Sequence, residues 1–552
     1  MEPEVGEWFT SKFGRMTEPQ ELAIPLIRDG KNVLISSPTG SGKTLTAFLA
    51  IINELLALEK RGELEKRIYC VYVSPLKALA NDIEKNLLAP LAEISVIAEN
   101  EPGIRVAVRS GDTSNSDRQK MLRKPPHILI TTPESLGIIL SAPRFRELLV
   151  GVRWAIVDEI HEICSSKRGV QLALNMERLR ELAGVNFVRV GLSATQAPIE
   201  EIGLFLGGHE GGKPRPMRII EAKMAKDLDI RVMAPTDRMN ELPVDVVNAA
   251  LYERLEGMIR AHTTTIVFTN TRSGTERVAL KLKEMGIESM AAHHGSLSKE
   301  TRLEVEGQLR DGQLQAVVTS TSLELGIDIG SVDLVAQIGS PKSISKGLQR
   351  VGRSGHGVGR TSKGRLIAFD NDDLIECAVL VKNAKLGHID RVSIPRNCLD
   401  VLAQGLVGMS LERVWKTDDA YALVGRAHPY RELTRDDFDS VMRYLGGQEM
   451  EDIYAKLWYD PDKGEFGRKK GGRMIYYLNS GTIPDEADYQ VFSDKGRHLG
   501  KLSEKFVERL SGRDVFVLGG RTYEFMRARG TKVFVKDATG RRPTVPSWTG
   551  EM

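Results

Sequence analysis

A chain of 552 residues holds three or four domains at about 150 residues each, which excludes a single small binding module. Hydrophobic residues at 41%, charged residues at 27% and aromatics at 6% lie near the globular average and exclude disordered, collagenous and disulfide-scaffold chains. Lys plus Arg total 77 against 74 Asp plus Glu, and the resulting net charge of +3 is too slight to argue for a nucleic-acid partner through the overall field, so that case must rest on local residues.

From Lys31 to about Thr195, short β-branched runs alternate with amphipathic stretches. Val33–Ser36, Ile68–Val73, Ile104–Arg109, His127–Thr131, Trp154–Val157 and Phe187–Leu192 read as strands, several of them apolar throughout, as in a parallel sheet buried on both faces. Helical periodicity fills the gaps, as at Leu172–Leu182, and the alternation predicts a doubly wound α/β domain. After the Gly-rich Gly207–Lys213 the rhythm resumes, with Thr265–Phe268, Ser289–Ala292, Leu314–Thr319, Val332–Ile338 and Arg365–Phe369 as strands of a second α/β domain. Beyond about Ile394 helices dominate, at Asn397–Gly408, Leu411–Val414 and Thr434–Leu445, where Thr434 and Asp437 resemble an N-cap and an acidic first turn. From about Met474, β-like pieces take over at Met474–Leu478, Val515–Leu518 and Lys532–Val535. The chain stops at Thr549-Gly550-Glu551-Met552 without a capping element, so the last domain is expected to be incomplete or unusually small.

Cys70, Cys164, Cys377 and Cys398 form no C-x-x-C pair, which argues against zinc, iron–sulfur or disulfide frameworks and suits a reducing cytoplasm. No apolar run approaches the roughly 20 residues of a membrane span, and the M-E-P-E-V-G-E start lacks a basic and apolar leader. A soluble cytoplasmic protein with no membrane partner is expected.

Four motifs carry chemistry. Ser37-Pro38-Thr39-Gly40-Ser41-Gly42-Lys43-Thr44 follows a strand and opens a helix. Its glycines let backbone N–H groups wrap a phosphate, Lys43 is placed to reach the β/γ-phosphates, and the Thr44 hydroxyl to ligate Mg2+. Ser37 stands where the usual pattern has its first glycine. Asp158-Glu159-Ile160-His161 closes a strand with two carboxylates, Asp158 suited to hold Mg2+ and Glu159 to polarise the attacking water. Ser193-Ala194-Thr195 follows the next strand and can relay a change at the phosphates by hydrogen bonding. In the second domain, Gln349-Arg350-Val351-Gly352-Arg353-Ser354-Gly355-His356 offers two guanidinium groups, and an arginine meeting the γ-phosphate is worth about 10³–10⁵ in rate.

These motifs, together with T-E-P-Q (17–20), P-L-K-A-L-A-N-D (75–82), T-T-P-E-S-L (131–136), I-V-F-T-N-T-R (266–272) and T-S-T-S-L-E-L-G-I-D-I-G (319–330), resemble the ordered set of superfamily 2 helicases over roughly residues 10–370. Within that superfamily the chain is most similar to the Lhr (large helicase-related) type. N-C-L-D-V-L-A-Q (397–404), H-P-Y-R-E-L (428–433) and the run from G-T-I-P (481–484) to P-S-W-T-G-E (546–551) are similar to the segments after the motor core. The resemblance implies two tandem RecA-like parallel-sheet domains, at 1–212 (ATP-binding) and 213–392. A winged-helix domain at 393–455 and a β-rich domain at 456–552 follow.

The resemblance also implies roles. Gln20 matches the adenine-reading glutamine, and Lys43, Thr44, Asp158 and Glu159 match the phosphate, Mg2+ and water-activating residues. Arg350 and Arg353 match the arginines facing ATP, with Arg353 the better candidate for the finger, while His356 stands where many relatives carry another arginine. Asp328 matches a motif residue linking the ATP site to the strand groove. Lys77, Thr131, Thr132, Arg272 and Thr319 lie in segments that hold nucleic-acid backbone in related enzymes, and their cations and hydroxyls suit phosphate. Trp548 matches a tryptophan that stacks on a nucleobase, worth about 1–3 kcal/mol. Arg468, Lys469, Lys470 and Arg473, then Arg527, Arg529, Arg541 and Arg542, form basic clusters that composition alone leaves as a solvated face. The implied activity is ATP- and Mg2+-dependent 3′-to-5′ travel on single strands that unwinds tailed DNA or RNA:DNA duplexes, with a role in repair. The alternative is an ATP-gated clamp or remodeler without processive unwinding.

Overall fold

The computed structural model describes residues 1–37, 42–75, 83–98, 103–111, 113–194, 196–222, 227–324, 332–355, 361–448, 454–479 and 488–547. The chain forms two units, each built from two separate stretches: Met1–Lys223 with Arg391–Pro484, and Met224–Asp390 with Asp485–Met552. Among the described residues no helix is long and apolar enough to cross a membrane.

The first unit is organised by β1 (Val33–Ser36), β2 (Cys70–Val73), β3 (Val106–Arg109), β4 (Ile128–Thr131), β5 (Trp154–Val157), β6 (Val188–Ser193), the short ribbon β7 (His209–Glu210) and β8 (Lys213–Pro214), and β9 (Arg218–Glu221). Seven of these make one parallel sheet in the order β3-β4-β2-β5-β6-β1-β9. The five central strands are buried along their whole length, which is why they read as unbroken apolar runs, whereas edge strand β3 exposes Val108. β9 pairs with β1 from Val33 against Arg218 to Ser36 against Glu221, so this sheet continues past the boundary expected at 212. Only Ile220 of β9 is buried, a signal too short to show a period.

The winged-helix region of this unit holds helices Leu399–Ser410, Thr417–Arg426 and Arg435–Gly446, with β16 (Trp415–Lys416), β17 (Trp458–Asp460) and β18 (Glu465–Gly467) in the order β16-β18-β17. The hairpin of β17 and β18 is the wing, and it falls beyond the boundary expected at 455. Helix Lys167–Ala183 packs on Leu399–Ser410, so one apolar core runs from Leu174 and Leu179 to Leu402, Leu406 and Phe438. Into this core Arg178 carries its charge, donating to Glu412 at 2.6 and 2.9 Å and to Asn175 at 2.7 Å, while Glu177 accepts from Arg189 at 2.9 Å and Arg215 at 2.8 Å. Burial pushes the Glu412 carboxyl up, and the Arg178 charge opposes that shift.

Two local expectations are corrected here. Leu411–Val414 is not a helix but a turn, which delivers Glu412 to Arg178. Met474–Leu478 is not a strand: it lies in helix Gly472–Leu478, because Tyr476 is buried against Gly408, where a Cβ would come within 2.8 Å of the ring. Packing there overrides the strand preference of Ile475, Tyr476 and Tyr477.

The second unit has β10 (Leu228–Met233), β11 (Thr265–Phe268), β12 (Met290–His293), β13 (Ala316–Thr319), β14 (Leu334–Ile338) and β15 (Ser362–Ile367) in a parallel sheet ordered β10-β15-β14-β11-β13-β12. Its C-terminal part is a five-stranded sheet, β20-β19-β23-β22-β21, made by β19 (Asp488–Ser493), β20 (His498–Ser503), β21 (Val515–Leu518), β22 (Arg521–Arg529) and β23 (Lys532–Asp537). Leu297 of the α/β part joins the core of this sheet with Val491, Leu502 and Phe516. Ser298 donates to Leu499 at 2.9 Å, Lys501 to Ser296 at 2.8 Å, and the buried Glu276 carboxylate accepts from His294 at 2.7 Å, from Gly520 N–H at 2.8 Å and from Gly519 N–H.

Glu412→Ala leaves the Arg178 guanidinium buried without its counter-ion, and breaking such a pair costs about 3–5 kcal/mol. We expect a clearly lower melting temperature, largely recovered in Arg178→Met/Glu412→Leu; equal melting of parent and single variant would show that the pair does not hold this junction.

Candidate nucleotide site

Adjacent strands β5, β6 and β1 end side by side, and their carboxyl ends are where an open parallel sheet takes ligands. Ser37, just past β1, donates its N–H to Ser193 O at 3.1 Å. Gly42 sits at φ +81°, and a Cβ there would stand 3.0 Å from Gln20 Nε2, so both the left-handed backbone and the close approach call for glycine. Lys43 opens helix Lys43–Lys60 and is buried, its Nζ donating to Ser37 O at 2.5 Å, while Thr44 is half-buried in the first turn. Thr39, Gly40 and Ser41 lie outside the described residues.

Gln20 lies in the first turn of helix Glu18–Arg28, where a capping box fixes it: Gln20 Oε1 accepts the Thr17 N–H at 2.9 Å. That leaves the amide nitrogen turned to Gly42, so the predicted base-reading residue and the phosphate loop do meet.

Asp158 follows β5. Its carboxylate accepts the Glu159 N–H at 2.8 Å and the Tyr72 hydroxyl. Burial and the neighbouring Glu159 charge push its carboxyl up to about 7. Glu159 stands at φ +44°, an uncommon conformation for a side-chain-bearing residue that costs on the order of 1–3 kcal/mol. The turn aims adjacent carboxylates differently: Asp158 is tied into the strand end, and Glu159 Oε2 lies 3.7 Å from His161 Nδ1. His161 is pushed down to about 3 by burial and then by the Lys43 charge, so its neutral ring accepts the Ala194 N–H at 3.2 Å. That bond ties D-E-I-H to S-A-T, whose Thr195 is outside the described residues. Tyr72 and the bridging role of His161 escape the sequence, because a tyrosine in an apolar strand reads as core.

In the second unit, Arg350 closes helix Ile344–Val351. Its guanidinium donates to Glu324 at 2.9 and 3.1 Å, to Gln337 at 2.7 Å and to Asn270 at 3.2 Å, over the Phe268 ring. It is a hub joining T-N-T, L-E-L-G and Q-R-V-G-R, and all three of its guanidinium nitrogens donate inside its own unit. Arg353 is buried in the turn that follows, its N–H bonded to Arg350 O at 3.0 Å. Glu324 and Gln337 were given no role by the sequence. Asp328 and His356 lie outside the described residues.

Among the residues expected to hold a strand, Lys77 and Trp548 are outside the described residues. Thr131, Thr132 and Thr319 are buried, and their hydroxyls make internal hydrogen bonds. Thr131 donates to Arg109 O at 2.8 Å, Thr132 caps helix Pro133–Leu140 through the Ser135 N–H at 3.3 Å, and Thr319 meets Ser322 at 3.2 Å. At Thr132 capping accounts for this: a hydroxyl at a strand-to-helix turn satisfies an orphan N–H. Arg272 begins helix Arg272–Glu284 and donates to Ser296 Oγ at 2.9 Å.

Three family models match: "DEAD/DEAH box helicase" over residues 17–202, "Helicase conserved C-terminal domain" over 247–357, and "Large helicase-related protein, winged helix domain" over 382–545. The chain is 53% identical over 561 residues to the ATP-dependent helicase Lhr-Core protein 2 of Thermococcus barophilus, covering 99% of this chain and 65% of that protein. It is 52% identical over 558 residues to the ATP-dependent helicase Lhr-Core of Methanocaldococcus jannaschii, covering 100% and 65%. It thus spans slightly less than two thirds of these relatives. The solved structure of Mycobacterium smegmatis helicase Lhr bound to ssDNA and AMP-PNP aligns with a TM-score of 0.80 at 39% identity, covering 94% of this chain and 67% of that one. By its motor motifs, its winged-helix region and these likenesses, the chain belongs to the superfamily 2 helicases of the Lhr type.

Proposed function

We propose that the chain is an ATP-dependent nucleic-acid translocase and helicase of the cytoplasm, moving 3′-to-5′ on single strands and opening tailed DNA or RNA:DNA duplexes, in the service of repair. The observation that carries the ATP part is the convergence of Gln20, Lys43, Asp158 and Glu159 on adjacent strand ends of one parallel sheet. The strand part is supported by the Lhr relative solved with ssDNA and AMP-PNP; direction and repair rest on the family resemblance.

Each residue has a task in that reading. Gln20 presents its amide to the base, and the helix N-terminus at Gly42 with Lys43 receives the phosphates. Thr44 and Asp158 offer the hard oxygen donors that Mg2+ prefers, and the cation would let the buried Asp158 ionise beside Glu159. When bound, Mg2+ supplies charge neutralisation at the phosphate oxygens. Glu159 orients the water and takes its proton as the β–γ bridge breaks to give ADP and phosphate. Arg353 is assigned to the charge that develops on the transferred group, and Arg350 is a positioning residue held by Glu324. His161 carries the change at Glu159 to the S-A-T segment.

Three outcomes check this. Lys43→Ala should abolish hydrolysis while strand affinity stays, and Glu159→Gln should bind ATP but turn over about 10²–10⁴-fold more slowly; a parent-like rate in either would unseat the assigned loop or base. On matched duplexes, strand displacement should require a 3′ overhang. Opening from 5′ tails alone reverses the direction, and strand-stimulated ATPase without displacement favours the clamp. Glu324→Gln should lower kcat about 10- to 100-fold, by analogy with other supporting residues, with KM for ATP little changed. An unchanged kcat would make the Glu324–Arg350 pair purely structural.

A further inference from the structure

The start of helix Lys167–Ala183 stands between three of the motifs. On one side it is bound to D-E-I-H: Ser166, its N-cap, donates its N–H to Ile163 O at 3.0 Å and its hydroxyl to the same oxygen at 2.8 Å. Gly169 lies so close against that turn that a Cβ would come within 2.2 Å of Ile163 O and 2.9 Å of Cys164 Cα. This end of the helix therefore has no room to shift independently of helix Ile160–Cys164.

On the other side Arg168 reaches the segments that leave the adjacent strands β2 and β4. Ser74 donates its N–H to Thr131 O at 3.1 Å, and just beyond that bond one guanidinium joins the two segments: Nε donates to Glu134 Oε1 at 2.6 Å and Nη2 to Pro75 O at 3.1 Å. Pro75 opens P-L-K-A-L-A-N-D, and Glu134 lies in T-T-P-E-S-L, in the first turn of helix Pro133–Leu140. Burial pushes the Glu134 carboxyl up, but the hydrogen bond and charge of Arg168 outweigh burial and hold it below its usual value. With the side chains 41% and 26% exposed, the pair adds little to stability. What it supplies is geometry: a planar fork spans a carboxylate and a carbonyl of different segments, which a lysine does not reproduce.

We propose that Arg168 is a positioning residue of the strand grip: it holds P-L-K-A and T-T-P-E-S-L at one spacing and, through its place beside Gly169, ties that spacing to the D-E-I-H turn. A change at Glu159 on ATP binding or hydrolysis then reaches both strand segments of this unit together. The inference rests on the reading of these segments as the strand grip of an ATP-driven enzyme, and it adds a residue that none of the motifs contains.

The test measures binding of a fluorescein-labelled single-stranded DNA with Mg2+ and either AMP-PNP or ADP, for the parent, Arg168→Gln, Glu134→Gln, their double variant and Arg168→Lys. In the parent the two nucleotides should give strand affinities that differ by about 5- to 150-fold, the usual range of coupling between sites. In Arg168→Gln and in Glu134→Gln that ratio should drop at least about threefold while melting stays parent-like. The double variant should be no worse than either single one, since both remove the same bond. Arg168→Lys should behave like Arg168→Gln, because a single ammonium does not span both acceptors. The slope of log K against log salt should stay at the parent value, as no phosphate contact is lost. A slope shallower by about 0.7 in Arg168→Gln, with tighter binding in Glu134→Gln, would make Arg168 a direct phosphate contact. A parent ratio of one, or a parent-like ratio in either Gln variant or in Arg168→Lys, would reduce the pair to a surface ion pair. Each of these overturns the inference and leaves the helicase reading intact, whereas a parent that neither binds strands nor is stimulated by them overturns both.

Discussion

Three charged groups buried together govern the first unit: the Lys43 ammonium and the Asp158 and Glu159 carboxylates, each less than a tenth exposed. With both carboxylates ionised, two negative charges would face one positive in a dry setting, and burial with the Glu159 charge pushes the Asp158 carboxyl up against that. The surroundings follow from that imbalance. The Tyr72 hydroxyl and the Glu159 N–H steady Asp158, the Ser37 carbonyl receives Lys43, and the histidine next to them is driven neutral. A neutral ring can accept a backbone N–H, which is how the charge problem at one strand end reaches the end of the next. Beside these groups Glu159 keeps a left-handed backbone that nothing in its own side chain favours.

What the sequence makes legible follows from burial. β1, β5 and β11 are apolar throughout because both faces are covered, and their bounds read directly from the chain. β9, β17 and β18 are short and only partly covered, so they carry no period and were placed outside their sheets or missed. Met474–Leu478 was misread because one buried tyrosine decides a conformation that the strand preference of Ile475, Tyr476 and Tyr477 opposes. In the site, the sequence names residues whose chemistry is written into a motif and passes over those that hold them in place. Glu324 sits in a hydroxyl-rich segment whose length says nothing of Arg350, and Thr132 offers the same hydroxyl whether it caps a helix or binds a phosphate.

The two attached regions are joined to their α/β partners by related devices. In the first unit a full ion pair, Arg178 with Glu412, is sealed inside a continuous apolar core. In the second, the Glu276 carboxylate is satisfied by one histidine and two backbone N–H groups of Gly519 and Gly520. Buried polar groups of this kind add little net stability, but they penalise any other docking of the same surfaces heavily, since each would be left uncompensated. The winged-helix region is thereby specified to one α/β partner and the β-rich sheet to the other.

Because each unit is assembled from two distant stretches, the first cannot be completed until residues 391–484 have followed 224–390 out of the ribosome. The face of helix Lys167–Ala183 that meets Leu402 and Leu406 has to wait for more than two hundred further residues to be translated. At about 5–20 residues per second that is on the order of 10–40 s of exposure for an apolar surface carrying an unmatched arginine. During that interval the helix offers chaperones an uncovered apolar face, because the stretch that carries it is made well before the one that covers it.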